Sequence, residues 1–147
     1  MPLDLKFDIK FRVPPRIMFH ALTNPMEISK YTQSKAEFSK EENGTFNFYD
    51  GSITGTNIQI IENSKLVQKW KFPNLPNEVD VTVNLNEKPG QECHVYIIVK
   101  NIPEKDNLNS SVDVKNIEKG FRQQIFEKIK NFMGYPINND SSSEESD

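Results

Sequence analysis

Chemically reactive side chains are scarce in this sequence. Its 147 residues include one cysteine, Cys93, and two histidines, His20 and His94. One cysteine cannot close an internal disulfide, and the three residues lack the spacings that are typical of metal ligands. Cys93 and His94 are neighbours in a predicted strand, where adjacent side chains point to opposite faces, so they do not form a nucleophilic dyad. The sequence therefore predicts a protein that is not an enzyme and that has no metal and no cofactor.

Long apolar runs are also missing. No stretch approaches the roughly 20 apolar residues that a membrane-spanning helix needs, and residues 1–6 contain no apolar segment typical of a signal peptide. Together with the lone cysteine, this favours the reducing cytoplasm as the location. Basic residues show no excess, because 18 Lys and Arg stand against 21 Asp and Glu. We therefore expect neither a membrane nor a nucleic acid as a partner.

Alternation of apolar and polar residues is the main positive signal. Leu5, Phe7, Ile9 and Phe11 alternate with charged residues, which predicts a first strand with one buried face. The same period returns between residues 36 and 100, in segments separated by turn residues. Strands of this kind, linked by hairpins, indicate an antiparallel sheet. The residues predicted to share its inner face include Phe46, Phe48, Ile58, Ile60, Leu66, Gln68, Trp70, Phe72, Val79, Val81, Val83, Leu85, Cys93, Val95, Ile97 and Val99.

Helical patterns lie on either side of these strands. Residues 15–22 predict a short helix, and Asn24 is placed to cap a second one that ends near Tyr31. After residue 112 apolar residues recur every three or four positions, which predicts an amphipathic C-terminal helix of about 20 residues. Gly120 inside it costs roughly 1 kcal/mol relative to Ala, and we expect a close approach to the sheet to explain it. The predicted apolar stripe is Ile117, Phe121, Ile125, Ile129, Phe132 and Met133.

The last ten residues differ in composition from the rest. Residues 138–147 contain no apolar side chain, so they cannot bury enough surface to offset the entropy of ordering. We expect residues 1–137 to form one domain and residues 138–147 an acidic disordered tail. Ser141 and Ser142 each precede a glutamate by three residues, a spacing that suits acidophilic kinases.

The order of elements predicts the architecture. One apolar sheet face and one apolar helix must cover each other. We therefore expect an α+β fold in which a curved antiparallel sheet wraps around the long C-terminal helix, with two short helices after the first strand.

Several local signatures occur in a specific order. Residues 44–46 read Gly-Thr-Phe and lead into Asp-Gly-Ser-Ile-Thr-Gly at 50–55. Residues 67–72 read Val-Gln-Lys-Trp-Lys-Phe, residues 101–103 read Asn-Ile-Pro, and the last helix carries Gly-Phe, Phe-Glu-Lys-Ile-Lys and Phe-Met-Gly-Tyr within 120–135. In order and spacing, roughly residues 5–136 resemble the activator of heat-shock protein 90 ATPase family, C-terminal-domain type, within the START-like helix-grip superfamily.

This resemblance implies a function. It implies a monomeric co-chaperone that binds the heat-shock protein 90 chaperone and stimulates its ATPase, acting in protein folding and the stress response. Two-domain members of the family have an additional N-terminal domain with no counterpart in these residues, so we expect modest stimulation. The outward lysines of the predicted strands are the candidate partner contacts, namely Lys69, Lys71 and Lys100.

An alternative function remains open on the same fold. A START-like carrier would hold a small hydrophobic ligand between the sheet and the C-terminal helix, and the candidate cavity residues are Trp70, Phe72, Phe121 and Ile125. A hydrolase or cyclase would need polar groups in that cavity, and Gln68 is the exception in a nearly apolar inward set. The interior volume distinguishes the co-chaperone from the carrier. A filled core favours the co-chaperone, and a cavity of several hundred Å³ favours the carrier.

Overall fold

The computed structural model describes residues 2–134, so the predicted acidic tail lies outside the described residues. The chain begins with β1 (Leu3–Phe11), which is followed by two short helices. Six further strands and a C-terminal helix complete it. The elements after β1 are α1 (Pro15–Thr23), α2 (Pro25–Thr32), β2 (Glu37–Phe38), β3 (Thr45–Phe48), β4 (Ile53–Ile61), β5 (Lys65–Lys71), β6 (Val79–Lys88), β7 (Glu92–Ile102), α3 (Val114–Phe121), a π-helical segment (Arg122–Phe126) and α4 (Glu127–Met133).

The strands form one sheet in the order β1-β7-β6-β5-β4-β3-β2. Every neighbouring pair is antiparallel. The first strand therefore lies beside the last one, and Leu3 pairs with Ile102. The predicted α+β class is confirmed, with a curved antiparallel sheet, a C-terminal helix and two short helices after the first strand.

Alternation predicts the inner face well where the strands are regular. In β1, β6 and β7 every second side chain is buried, as in the run of Val79, Val81 and Val83. In β4 the pairing with β5 slips between Asn57 and Gln59. Such a bulge adds one residue and changes which side chains point inward. The prediction that Ile58 faces the core is therefore wrong, since Ile58 is exposed and Asn57 is buried.

The two short helices begin as the sequence predicts. Asn24 caps α2, because its Oδ1 accepts hydrogen bonds from the backbone N–H groups of Met26 at 2.9 Å and Glu27 at 3.1 Å. The buried Tyr31 hydroxyl donates to the carbonyl of Ala21 at 2.9 Å, which ties α2 to α1. Burial raises the pKa of the Tyr31 hydroxyl, so it stays a hydrogen-bond donor at neutral pH.

The C-terminal helix consists of α3, the π-helical segment and α4 in direct succession. A π turn holds one more residue than an α turn, so it rotates everything that follows it. Phe126 is consequently buried, whereas Phe132 is 49% exposed. The prediction that Phe132 belongs to the buried stripe is wrong for this reason. The side chain of Met133 lies outside the described part.

The close packing that the sequence predicts at Gly120 occurs instead at Gly55. A methyl group added at Gly120 meets no atom within 4 Å, so the predicted close approach of the helix to the sheet is wrong. Gly55 is the position that packing requires, because a Cβ there would collide with the Phe46 ring and the Lys69 carbonyl. Bare backbone at Gly55 therefore lets β4 lie directly beneath the Phe46 ring.

Candidate functional site

Trp70 lies at the centre of the space between the sheet and the C-terminal helix. Its ring centroid is 5.6 Å from that of Phe46, 5.4 Å from Phe48, 5.9 Å from Phe72 and 5.0 Å from Phe121. Aromatic pairs at these separations add to the free energy gained by burial alone. The predicted cavity residues Trp70, Phe72 and Phe121 thus come together, but they pack against one another.

A chain of hydrogen bonds runs outward from Trp70. The indole N–H donates to Gln68 Oε1 at 2.8 Å, and Gln68 Nε2 donates to Asn57 Oδ1 at 2.8 Å. Asn57 Nδ2 then donates to the backbone carbonyl of Ser39 at 2.6 Å. The inward polar groups of β4 and β5 therefore satisfy one another. Sequence reasoning found Gln68 and missed Asn57, because alternation does not reveal the bulge that turns Asn57 inward.

Very little space remains beside this cluster. The void that Trp70, Phe121 and Ile125 line measures about 20 Å³. That volume admits one water molecule at most, whereas small-molecule sites measure about 300–1,000 Å³. Phe72 lies at the margin and lines a surface groove of about 220 Å³ beside Gly120. The helix therefore rests on a filled interior in the described structure.

The π-helical segment is anchored by a residue that the sequence did not single out. Tyr49 follows β3 with a φ of 54°, and its hydroxyl donates to the carbonyl of Gln124 at 2.5 Å. Burial raises the pKa of Tyr49. This bond joins the β3–β4 turn to the middle of the C-terminal helix. A tyrosine in the left-handed region is rare enough to mark a structural constraint, but the sequence does not show that backbone angle.

The three predicted partner-contact lysines all lie on the outer face of the sheet. Lys69 on β5 pairs with Asp80 on β6, and Asp80 pairs with Lys100 on β7. The Lys69 ammonium lies 2.6 Å from the Asp80 carboxylate. Its hydrogen bond lowers the pKa of Asp80, and the same bond raises the pKa of Lys69. Lys69, Asp80 and Lys100 thus form one cross-strand row of alternating charge.

Lys71 has a different environment from Lys69. Its ammonium donates to the backbone carbonyl of Phe72 at 2.9 Å and to that of Leu75. It therefore closes the loop after β5. Within residues 2–134, Lys100 is exposed and has no ion-pair partner. Of the three predicted contact residues, Lys100 is thus the most accessible to a partner. Lys69 forms an ion pair with Asp80, and Lys71 donates hydrogen bonds to the backbone.

The reactive residues are placed as the strand pattern predicts. Cys93 is fully buried in the core, and burial raises the pKa of its thiol to about 12. The thiol is therefore protonated at neutral pH. His94 faces the other side of the sheet, where its Nε2 contacts the Asp8 carboxylate. Among residues 2–134, no group of three His, Cys, Asp or Glu side chains could hold a metal ion, and no helix in that range has the length and hydropathy to cross a membrane.

Comparison with known proteins gives the family. The family model for "Activator of Hsp90 ATPase homolog 1-like protein" matches residues 12–134. The chain belongs to this family. The resemblance found in the sequence is thereby confirmed, over nearly the same residues.

Relatives of this Hsp90-activator-like chain are longer proteins. An activator of 90 kDa heat shock protein ATPase homolog from Dictyostelium discoideum is 29% identical over 135 residues, covering 89% of this chain and 33% of the relative. A homolog 2 from Mus musculus is 30% identical over 108 residues, covering 72% of this chain and 30% of the relative. The chain thus spans about a third of the length of these relatives.

Solved structures confirm the fold of this family member. The crystal structure of an HSP90 activator from Plasmodium falciparum superposes with a TM-score of 0.86 at 25% identity, covering 92% of this chain and 99% of that one. The solution structure of the Aha1 dimer from Colwellia psychrerythraea gives a TM-score of 0.70 at 14% identity, covering 90% and 98%. The second likeness shows the fold alone.

Proposed function

We propose that this chain is a co-chaperone that binds Hsp90 and stimulates its ATPase. The observation that carries the proposal is the likeness to the Plasmodium falciparum activator, which covers 99% of that chain. This chain therefore matches almost the whole solved chain of a protein that is described as an HSP90 activator. The family match over residues 12–134 supports the same function.

The filled interior supports a role carried by the surface. A carrier needs a preformed cavity of some hundreds of Å³, and the void beside Trp70 measures about 20 Å³. The polar groups at the inner face, Gln68 and Asn57, are occupied by each other and by their neighbours. The geometry therefore favours the protein-binding function over ligand transport and over catalysis inside the fold.

Stimulation requires a difference in affinity between states of the chaperone. A bound protein shifts a conformational equilibrium only by as much as it prefers one state over the other. We propose that this chain binds the hydrolysis-competent state of Hsp90 more tightly than the open state. We place the activity in the cytoplasm, within protein folding and the stress response, and propose a monomeric activator.

Titration calorimetry with full-length Hsp90 tests binding, and steady-state ATP turnover tests stimulation. Turnover that persists with a saturating inhibitor of the chaperone's ATP site is subtracted as background. We expect binding in the micromolar range and a modest rise in turnover. Absence of heat and of co-elution at tens of micromolar would refute the proposal. Binding without any rise in turnover would leave a binding module and remove the activator function.

A further inference from the structure

We infer that the outer face of the sheet, around Tyr96 and Ile98, docks an acidic protein surface that carries an apolar centre. This inference rests on the proposed function, since it names the surface that this chain turns toward its chaperone partner. We call it the outer patch and define it by Lys6, Lys65, Val67, Tyr96, Ile98 and Lys100. The inner face is filled by the helix, so this is the broad sheet surface left for a partner.

Strand register places these residues side by side. Ile98 on β7 pairs with Lys6 on β1 and with Thr82 on β6, and Thr82 pairs with Val67 on β5. The first row is therefore Lys6, Ile98, Thr82 and Val67, in that order across the four strands. Adjacent strands lie about 4.8 Å apart, so the row spans about 14 Å. Ile98, Thr82 and Val67 are each partly exposed.

A second row lies directly beside the first. Tyr96 pairs with Asp8 on β1 and with Asn84 on β6, and Asn84 pairs with Lys65 on β5. Tyr96 is 39% exposed, and its ring rests against His94 with centroids 4.2 Å apart. A tyrosine held in this way meets a partner at little entropic cost, which is one reason tyrosines recur at interface hot spots.

The patch also has the shape of a docking site. A shallow depression of about 460 Å³ lies over Lys6, Tyr96 and Ile98. Four strands with about five residues each present roughly 300 Å². An area of that size on one partner lies at the small end of protein–protein interfaces, where transient contacts are found. It matches the moderate affinity expected of an activator that must bind and release.

Two carboxylates border the lysines of the patch, Asp8 in the second row and Asp80 beside Lys100. Asp8 contacts His94, and Asp80 is held by Lys69 at 2.6 Å and by the Asn101 amide. Asp4 is exposed two residues before Lys6 in β1, and it has no register partner in β7. Asp8 and Asp80 therefore both have partners within the sheet, so they are less available to a binding partner than the lysines are.

The lysines of the patch have no such partners. Among residues 2–134, Lys6, Lys65 and Lys100 have no ion-pair or hydrogen-bond partner. Three lysines without an ion-pair partner among the described residues thus surround an apolar centre. Charge complementarity selects a partner surface with carboxylates around an apolar group. A second copy of this chain is a poor occupant, because a two-fold contact would set these lysines against themselves.

Charge-reversal variants test the patch in the full chain. Lys6→Glu and Lys100→Glu change its rim, and Tyr96→Thr removes the ring while keeping a residue that suits a strand. Lys119→Glu, on the exposed side of α3, is the matched control for net charge. Melting curves show first that each variant is folded. Each is then titrated with full-length Hsp90 at about 0.05 M and 0.5 M salt.

The expected result is specific to the patch. We expect each reversal to weaken binding about five- to tenfold at low salt and Tyr96→Thr to weaken it at least about fivefold. Lys119→Glu should bind as the wild type does. The effect of the reversals should shrink at high salt, where screening shortens the reach of the charges. Wild-type affinity in all three patch variants would overturn the inference and leave the proposed function standing.

A second measurement separates the two proposals. If the wild type does not bind Hsp90, the proposed function fails, and the patch is tested by nuclear magnetic resonance with the peptide Glu-Glu-Leu-Phe-Glu-Glu. Shifts at Tyr96 and Ile98, absent with the lysine version of the peptide, support the patch. Equal shifts with both peptides, or shifts confined to the helix, overturn it.

The acidic C-terminal residues are tested as a rival occupant. In a chain that ends at Ile137, Lys100→Glu should weaken Hsp90 binding as much as it does in the full chain. If its effect disappears in the shortened chain, the chain's own terminus is the occupant, and the inference of a partner surface is wrong.

Discussion

Replacing Gly120 with Ala should stabilise this protein. Gly120 lies within α3, where the helix continues on both sides. A methyl group at this position meets no atom within 4 Å. The substitution therefore adds no clash and removes the extra backbone freedom of glycine from the unfolded chain.

The size of the effect follows from helix propensity. Alanine is favoured over glycine by about 0.8–1 kcal/mol in a helix interior. No lost contact opposes this gain, because the described structure places only open space beside Gly120. For a domain of this size, about 1 kcal/mol raises the melting temperature by about 3–5 °C.

Urea unfolding followed by circular dichroism measures the change directly. Gln123→Ala, at an exposed position of the same helix, is the control and should shift stability by only a few tenths of a kcal/mol. An unchanged or lower stability of Gly120→Ala, with the same dependence on urea, would show that the helix approaches another surface at this position. The expectation drawn from sequence would then be right and the packing described above wrong.

Three further outcomes follow from the same structure. Phe121→Ala should cost about 3–5 kcal/mol, since the ring is buried against Trp70; exposed Phe132→Ala is the control and should cost less than about 1 kcal/mol. Tyr49→Phe should cost about 1 kcal/mol through loss of its hydrogen bond to the C-terminal helix, and hydrogen exchange should rise in that helix first; a uniform rise would contradict this. Asp80→Asn should destabilise the protein at neutral pH and not in acid. The pKa of Asp80 is lowered by folding, so its contribution is present above the ordinary value of 3.8 and disappears as pH falls through the folded-state pKa; a difference that persists at low pH would refute the ion-pair explanation.

Local pattern was sufficient for most of the architecture. Strict alternation in β1, β6 and β7 specifies one buried face, because a shift of one residue would expose every apolar side chain. The cap at Asn24 and the change of period after residue 112 located the helices for similarly local reasons. Their order then left one economical way to cover the apolar sheet face.

The errors share a physical cause. The bulge that buries Asn57 and the π turn that buries Phe126 each insert one residue into a regular repeat. Hydrogen bonds to distant segments hold both in place, such as the bond from Asn57 to Ser39. Alternation and helical period describe only the uninterrupted repeat, so Ile58 and Phe132 were misplaced.

For the candidate site, the sequence predicted which face of the sheet each side chain occupies, but not which groups it contacts. Strand alternation correctly placed Lys69 and Lys100 on the outer face, and Trp70 on the inner one. It could not show that Lys71 turns to two backbone carbonyls. A lysine's four-carbon stem lets its ammonium reach such groups, and that choice depends on the fold of the following loop.

The position of β1 beside β7 also constrains how the chain reaches its fold during synthesis. β1 can pair fully with β7 only after the chain has been synthesised as far as Ile102, the partner of Leu3. At a ribosomal rate of about 5–20 residues per second, β1 remains without its neighbour for about 5–20 s. Its apolar side chains are exposed to other nascent chains in that interval. The charged residues that alternate with them, among them Lys6 and Asp8, act as gatekeepers against edge-to-edge aggregation until translation supplies the partner strand.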